Sequence, residues 1–147
     1  MRNLLSMLLV FSFLFTIGCD DDEATDETNP LVGVYNMVSY SAQGLGQTIT
    51  QEADDNNSLV FVLSEGGTYS LQGTAGYVGL PSYWIDGEPN SESGTWSIAE
   101  NGALMLVHED DEYGTITYVF SYTLSGNDMT MTIDEEVFII TYNWEKE

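Results

Sequence analysis

From Leu31 to the end of the chain, apolar and polar residues alternate in short runs separated by Gly, Asn, Asp and Ser. A repeat of two is the mark of a half-buried β-strand. The cleanest run is Thr115 to Leu124, where Ile116, Tyr118, Phe120, Tyr122 and Leu124 alternate with Thr117, Val119, Ser121 and Thr123. Leu31 to Tyr40 opens the series, with Val32, Val34 and Val38 on one face and Tyr35 and Met37 on the other. Leu59 to Ser64 passes through Ser64-Glu65-Gly66-Gly67 into Thr68 to Gln72, whose Tyr69 and Leu71 share a face, and this predicts a hairpin. Gly94 to Ile98, a turn over 99–102 and Ala103 to Val107 predict another. After a turn over 109–114 and the cleanest run, Ser125-Gly126-Asn127-Asp128 turns into Met129 to Ile133, with Met129, Met131 and Ile133 on one side. Asp134-Glu135-Glu136 leads to a last strand from Val137 through Trp144.

Two stretches are less regular. Residues 43–57 are polar and glycine-bearing, with Thr48 to Thr50 as one short strand, and residues 76–90 predict a long loop or a distorted edge. No stretch after residue 30 has a helical period. Eight or nine short antiparallel strands predict an all-β fold, an antiparallel up-and-down barrel, because closure hides strand edges most completely. An open β-sandwich is the alternative.

The first thirty residues have a different texture. Met1-Arg2-Asn3 is a short positive start and Leu4 to Ile17 an apolar run. In a helix that run spans about 21 Å, short of the ~30 Å hydrocarbon core, so residues 1–18 read as a secretory leader rather than a membrane span. Ile17-Gly18-Cys19 resembles the lipobox of bacterial lipoproteins, with Thr16 where Leu is usual. The resemblance implies a lipoprotein signal peptide over 1–18, diacylglycerol on the Cys19 sulfur and an acylated new amino terminus. Asp20-Asp21-Asp22-Glu23, then Asp26-Glu27, predict an acidic, disordered tether over 19–30, leaving one domain over 31–147. The acidic run is similar to the signal that sends some Gram-negative lipoproteins to the cell surface. In other bacteria the same residues retain a lipoprotein at the inner membrane. The expected location is therefore the outer membrane of a Gram-negative bacterium, facing either the periplasm or the outside.

Charge narrows the partners. The chain carries 24 acidic residues against two basic ones, and without the leader only Lys146 stays basic, a formal −23. Phosphate-rich ligands and nucleic acid call for arginine and lysine and are excluded as partners, so any charged partner should be cationic. Cys19 is the only cysteine, which rules out an intrachain disulfide and a cysteine zinc site.

Gly33-Val34-Tyr35 in the first strand, then Gly67-Thr68-Tyr69, Gly94-Thr95-Trp96-Ser97 and Phe138 to Trp144, resemble bacterial lipocalin-like domains. Those domains open on Gly, any residue, Trp, and here Tyr35 takes the Trp place. The family also sets an arginine across the barrel end from that Trp, and this domain has none. The resemblance implies a barrel interior that binds a small apolar or neutral ligand. Tyr77, Tyr83 and Trp84, in a segment running to Ile85, and Trp96 are the candidate ligand-binding residues, since aromatic faces stack on sugars and apolar molecules. The bland alternative is a loop plugging one end.

Other chemistry is thinner. Residues 54–57, 109–112 and 134–136 are acidic but lack the spacing of an EF-hand loop, so solvated turns are expected, with no metal and no cofactor. His108 is the only histidine and no Gly-x-Ser-x-Gly elbow accompanies it. Asp86 and Glu88 beside Trp84 are the least implausible glycosidase pair. The expectation is a non-enzymatic binding lipoprotein, or an accessory module with a filled core that acts on another protein through its outer surface.

Overall fold

A computed structural model describes residues 29–75, 89–135 and 138–147. The leader, Cys19, most of the tether and the candidates Tyr77, Tyr83 and Trp84 lie outside the described residues. The described residues form nine strands: β1 (Gly33–Gly44), β2 (Gln47–Glu52), β3 (Leu59–Leu63), β4 (Thr68–Gly73), β5 (Asn90–Ile98), β6 (Leu104–Asp110), β7 (Gly114–Ser125), β8 (Asp128–Glu135) and β9 (Phe138–Lys146). Neighbours pair antiparallel, and β1 with β9 closes an eight-stranded barrel to which β2 is an addition. The strand count and closure agree with the pattern along the chain.

Tight turns set the registers. Gly67 and Gly102 each end a three-residue loop with a positive φ, 73° and 82°, closed by the Ser64 and Ala99 amides donating to the Thr68 and Ala103 carbonyls. Only glycine takes that backbone without strain. The β1–β2 turn breaks this rule, because Leu45 has φ 50° and is 84% exposed. A left-handed residue with a side chain costs about 1–2 kcal/mol. Leu45→Asn is therefore expected to raise stability by about 0.5–1 kcal/mol, read as a higher urea midpoint.

β1 and β2 run well beyond the single short strand expected over 48–50. Residues 39–44 pair with 47–52 on one edge and with 138–143 of β9 on the other. Apart from Ser39, Tyr40 and Ala42, which meet the core, these residues are held by ladders more than by burial, so their hydropathy carried little signal. Strands β5 and β6 are likewise longer than expected, reaching Asn90 and Asp110.

Inward residues fill the barrel. Tyr35, Phe61, Leu63, Tyr69, Leu71, Leu104, Leu106, Phe120, Met129, Met131, Tyr142 and Trp144 are all buried. Rings run in contact from Tyr69 through Phe61, Trp144, Tyr142 and Phe120 to Tyr118, with centroid separations of 5.5 to 6.4 Å. The Tyr35 ring closes the floor. Its hydroxyl donates to the Leu31 carbonyl at 2.9 Å, and burial pushes its pKa up. Lys146 Nζ sits 5.6 Å from the Tyr35 ring centroid and donates to the Pro30 carbonyl at 3.0 Å. Lys146, the only lysine or arginine among the described residues, thus caps the Tyr35 ring from outside the barrel end. Gly33 leaves it room, since a Cβ there would lie 2.3 Å from Lys146 Cε.

The opposite end flares, because three ladders stop short. The β5–β6 ladder covers Thr95–Ile98 with Leu104–Val107, and the β7–β8 ladder covers Ser121–Ser125 with Asp128–Thr132. β1 pairs with β3 only over Gly33–Asn36 and then turns its edge to β2. Toward this end the wall parts into three panels: β3–β4–β5, β6–β7 and β8–β9–β1–β2.

Candidate binding site at the flared end

The middle of the barrel is closed. Phe61, Leu71, Leu106, Phe120, Met131, Tyr142 and Trp144 surround a void of about 10 Å³. That is barely room for one water, against the several hundred Å³ of a ligand pocket. Burial drives the Tyr142 hydroxyl pKa far upward, which fits an interior sealed from solvent.

Space opens instead where β5 and β6 separate. Gly94 marks the last close approach: a Cβ there would lie 2.0 Å from the Val107 carbonyl oxygen and 2.8 Å from Tyr69 Cε1. Only glycine allows the strands to come so close just before they part. Beyond it lies a cleft of about 330 Å³ lined by Ser70, Leu71 and Gln72 of β4, Ser91, Glu92 and Ser93 of β5, and His108 and Glu109 of β6.

Glu92 is the unusual member, a carboxyl only 5% exposed. Its Oε1 accepts a short hydrogen bond from the Tyr69 hydroxyl, while Oε2 has no partner among the described residues. Burial raises its pKa, opposed by the Tyr69 hydrogen bond and by His108, and reinforced by the Asp110 charge. His108 Nδ1 lies 3.3 Å from the Ser93 carbonyl and Nε2 lies 3.9 Å from Asp110 Oδ2. Asp110 is held below its usual range chiefly by the Tyr113 and Glu112 amides, both at 2.8 Å. So the turn expected over 109–112 is an Asx turn that caps the end of β6.

A carboxyl whose pKa is raised by folding stabilises the folded state below its unfolded pKa, and that contribution is lost as pH rises through the folded value. Glu92→Gln is therefore expected to match the parent in urea denaturation near pH 4 and to become the more stable of the two as pH rises toward 8. A constant difference across that range would refute the assignment.

The structure distributes the sequence candidates differently. Trp96 is half-buried against the core at the narrow end, where its indole N–H donates to the Ser64 carbonyl at 3.0 Å, far along β5 from the cleft. His108 reaches the cleft, with Nδ1 toward the Ser93 carbonyl and Nε2 toward Asp110. Ser91-Glu92-Ser93 falls between the irregular stretch expected over 76–90 and the strand expected from Gly94, so Glu92 had no place in the pattern. Its parity with Trp96, four residues on, was the available signal, since both must face inward on a continuous strand. Among the described residues no group of three or more His, Cys, Asp or Glu is placed to hold a metal ion.

A closed antiparallel barrel, plugged by an aromatic floor and flared at one end, defines the calyx class of β-proteins. The lipocalin-like domain model matches residues 31–131, and the chain belongs to that family. No curated protein matches the chain.

Proposed function

We propose that this chain is a membrane-tethered extracytoplasmic binding protein, not an enzyme, that takes a small molecule at the flared end of its barrel. One contrast carries the reading: about 10 Å³ of space in the middle of the barrel against about 330 Å³ beside Glu92. An apolar ligand held deep inside, as the family resemblance suggested, would have to displace packed aromatic rings. The tether rests on Ile17-Gly18-Cys19 and on the acidic run that follows it, with Cys19 as the lipid attachment site at the outer membrane of a Gram-negative bacterium.

A second reading, a filled barrel that engages another protein, draws support from the rim of β1, β2 and β9. Ile49 and Phe138 are exposed there, and β2 pairs on one edge only among the described residues. Native mass spectrometry of the full chain, extracted from its own membranes in mild detergent, tests both. The expected species begins at Cys19, carries acyl chains and holds a small-molecule adduct. Repeated bare chain would sink the binding reading, a chain beginning at Met1 would sink the anchor, and an adduct of protein mass would favour the second reading.

A further inference from the structure

We propose that the free edge of β2 takes up an extended segment of another protein as a further strand, with apolar residues of that segment beside Ile49 and basic ones beside Glu52. This deepens the second reading, in which the filled barrel engages another protein, and gives the chemistry of the partner. The Ala53 amide donates to the Val38 carbonyl at 2.8 Å, in register with the β1–β2 pairs. Backbone direction alternates along an antiparallel strand, so Gln47, Ile49 and Gln51 turn toward β1, while Thr48, Thr50 and Glu52 turn their N–H and C=O groups the other way. No strand among the described residues meets them there. Such an edge is a template for pairing unless lysine, proline or a bulge blunts it, and Gln47–Glu52 has none of these.

Side chains decide what fits. Ile133, Ile140, Ala42 and Ile49 are direct neighbours across β8, β9, β1 and β2, so they share the inner face. Ile133 and Ile140 are buried, whereas Ile49 is 61% exposed. The apolar row thus runs out of the core and stops open at the sheet edge, where one more strand with an apolar side chain would continue it. One row nearer the rim, exposed Phe138 stands across Gly44 from Gln47 and adds a second apolar neighbour. Leu45, in the turn, keeps a left-handed φ and an exposed apolar side chain, and a retained backbone outlier points to use. At the other end of the edge Glu52 is followed by Asp54 and Asp55, all exposed. A second copy of this chain would set a formal charge of −22 against its equal, so the complementary partner is cationic. The chain enters the barrel at the floor, where Lys146 meets Pro30, and the β1–β2 turn lies at the opposite end, clear of the tether.

The test is titration of the full chain in mild detergent, with empty micelles as the blank. The probe is a short synthetic peptide that alternates lysine and isoleucine, beside the same residues arranged in blocks and a peptide that alternates glutamate and isoleucine. The expected result is saturable binding of the first peptide alone, with amide exchange slowed at Thr48, Thr50 and Glu52. Thr50→Pro removes an amide that the β1–β2 ladder does not use, and proline is tolerated on an open edge, so the barrel should fold, which circular dichroism checks. Affinity should fall about tenfold or more in that variant. If Thr50→Pro loses its spectrum, Ile49→Thr takes its place, since threonine keeps the strand and removes the apolar neighbour. Equal affinity for the block or glutamate peptide, unslowed exchange at β2, or undiminished binding in the variant that folds would overturn the assignment. So would a concentration-dependent dimer abolished by Thr50→Pro, which would give the edge to a second copy. A native mass-spectrometry adduct of protein mass that survives Thr50→Pro would remove β2 as the docking edge while leaving the second reading in place, and the small-molecule adduct is expected to be unaffected by either substitution.

Discussion

Phe61→Ala is expected to lower the unfolding free energy by about 3–5 kcal/mol, the largest loss from any single side chain discussed. Phe61 touches Tyr35 at 6.5 Å, Tyr69 at 6.1 Å and Trp144 at 5.5 Å between centroids, so its removal breaks three ring contacts and leaves a hole. Each such contact is worth about 0.5–1.5 kcal/mol beyond area burial. The neighbours cannot collapse into the gap, because the floor ring Tyr35 is fixed to Leu31 and Tyr69 is fixed to Glu92. Urea denaturation reads the loss. Val119→Thr, on the outer face of β7 at 47% exposure, is the control and should move stability by no more than about 0.5 kcal/mol. A Phe61→Ala loss under about 1 kcal/mol would mean that the barrel relaxes freely, contrary to a packed core.

Gly94→Ala is expected to cost about 1–3 kcal/mol or more, and to act at the cleft as well as on stability. The new methyl would meet the Val107 carbonyl, which is backbone bound into the β5–β6 ladder and cannot swing aside. It would also crowd Tyr69, the residue that donates to Glu92. Thermal denaturation should show the loss. Backbone amide exchange should rise at Thr95 to Ile98, where the ladder must shift. Gly66→Ala is the control, since Gly66 has no left-handed φ and a Cβ there meets nothing within 4 Å. If the two substitutions cost the same, close approach is not what Gly94 provides.

Much of the barrel was legible because inward burial and the period of two coincide. Tyr69 with Leu71, the run Phe120 to Leu124, and Met129, Met131 and Ile133 all face the side that the alternation assigns. Val38 keeps the outward sense of Val34, and the ladder to β9 shifts register between Met37 and Ser39. What escaped was structure held with little apolar burial, namely the β1–β2 hairpin, secured chiefly by its ladders and by the Tyr40 hydroxyl donating to Gln51 Oε1. Lys146 escaped for another reason: a lysine near the end of a chain reads as solubility, and only the fold brings it over Tyr35. The cleft escaped because it depends on where a ladder stops. Register is a pairwise property, and the alternation of one strand does not contain it.

The seam between β1 and β9 has a consequence for how the molecule comes into being. It joins Tyr35 to Lys146, so the cylinder cannot shut until the last strand has been made. Contacts so distant in sequence make folding slow, and until then two long edges stand open to neighbouring chains. The surplus of negative charge then has a second use, holding half-built copies apart by repulsion until each can seal itself.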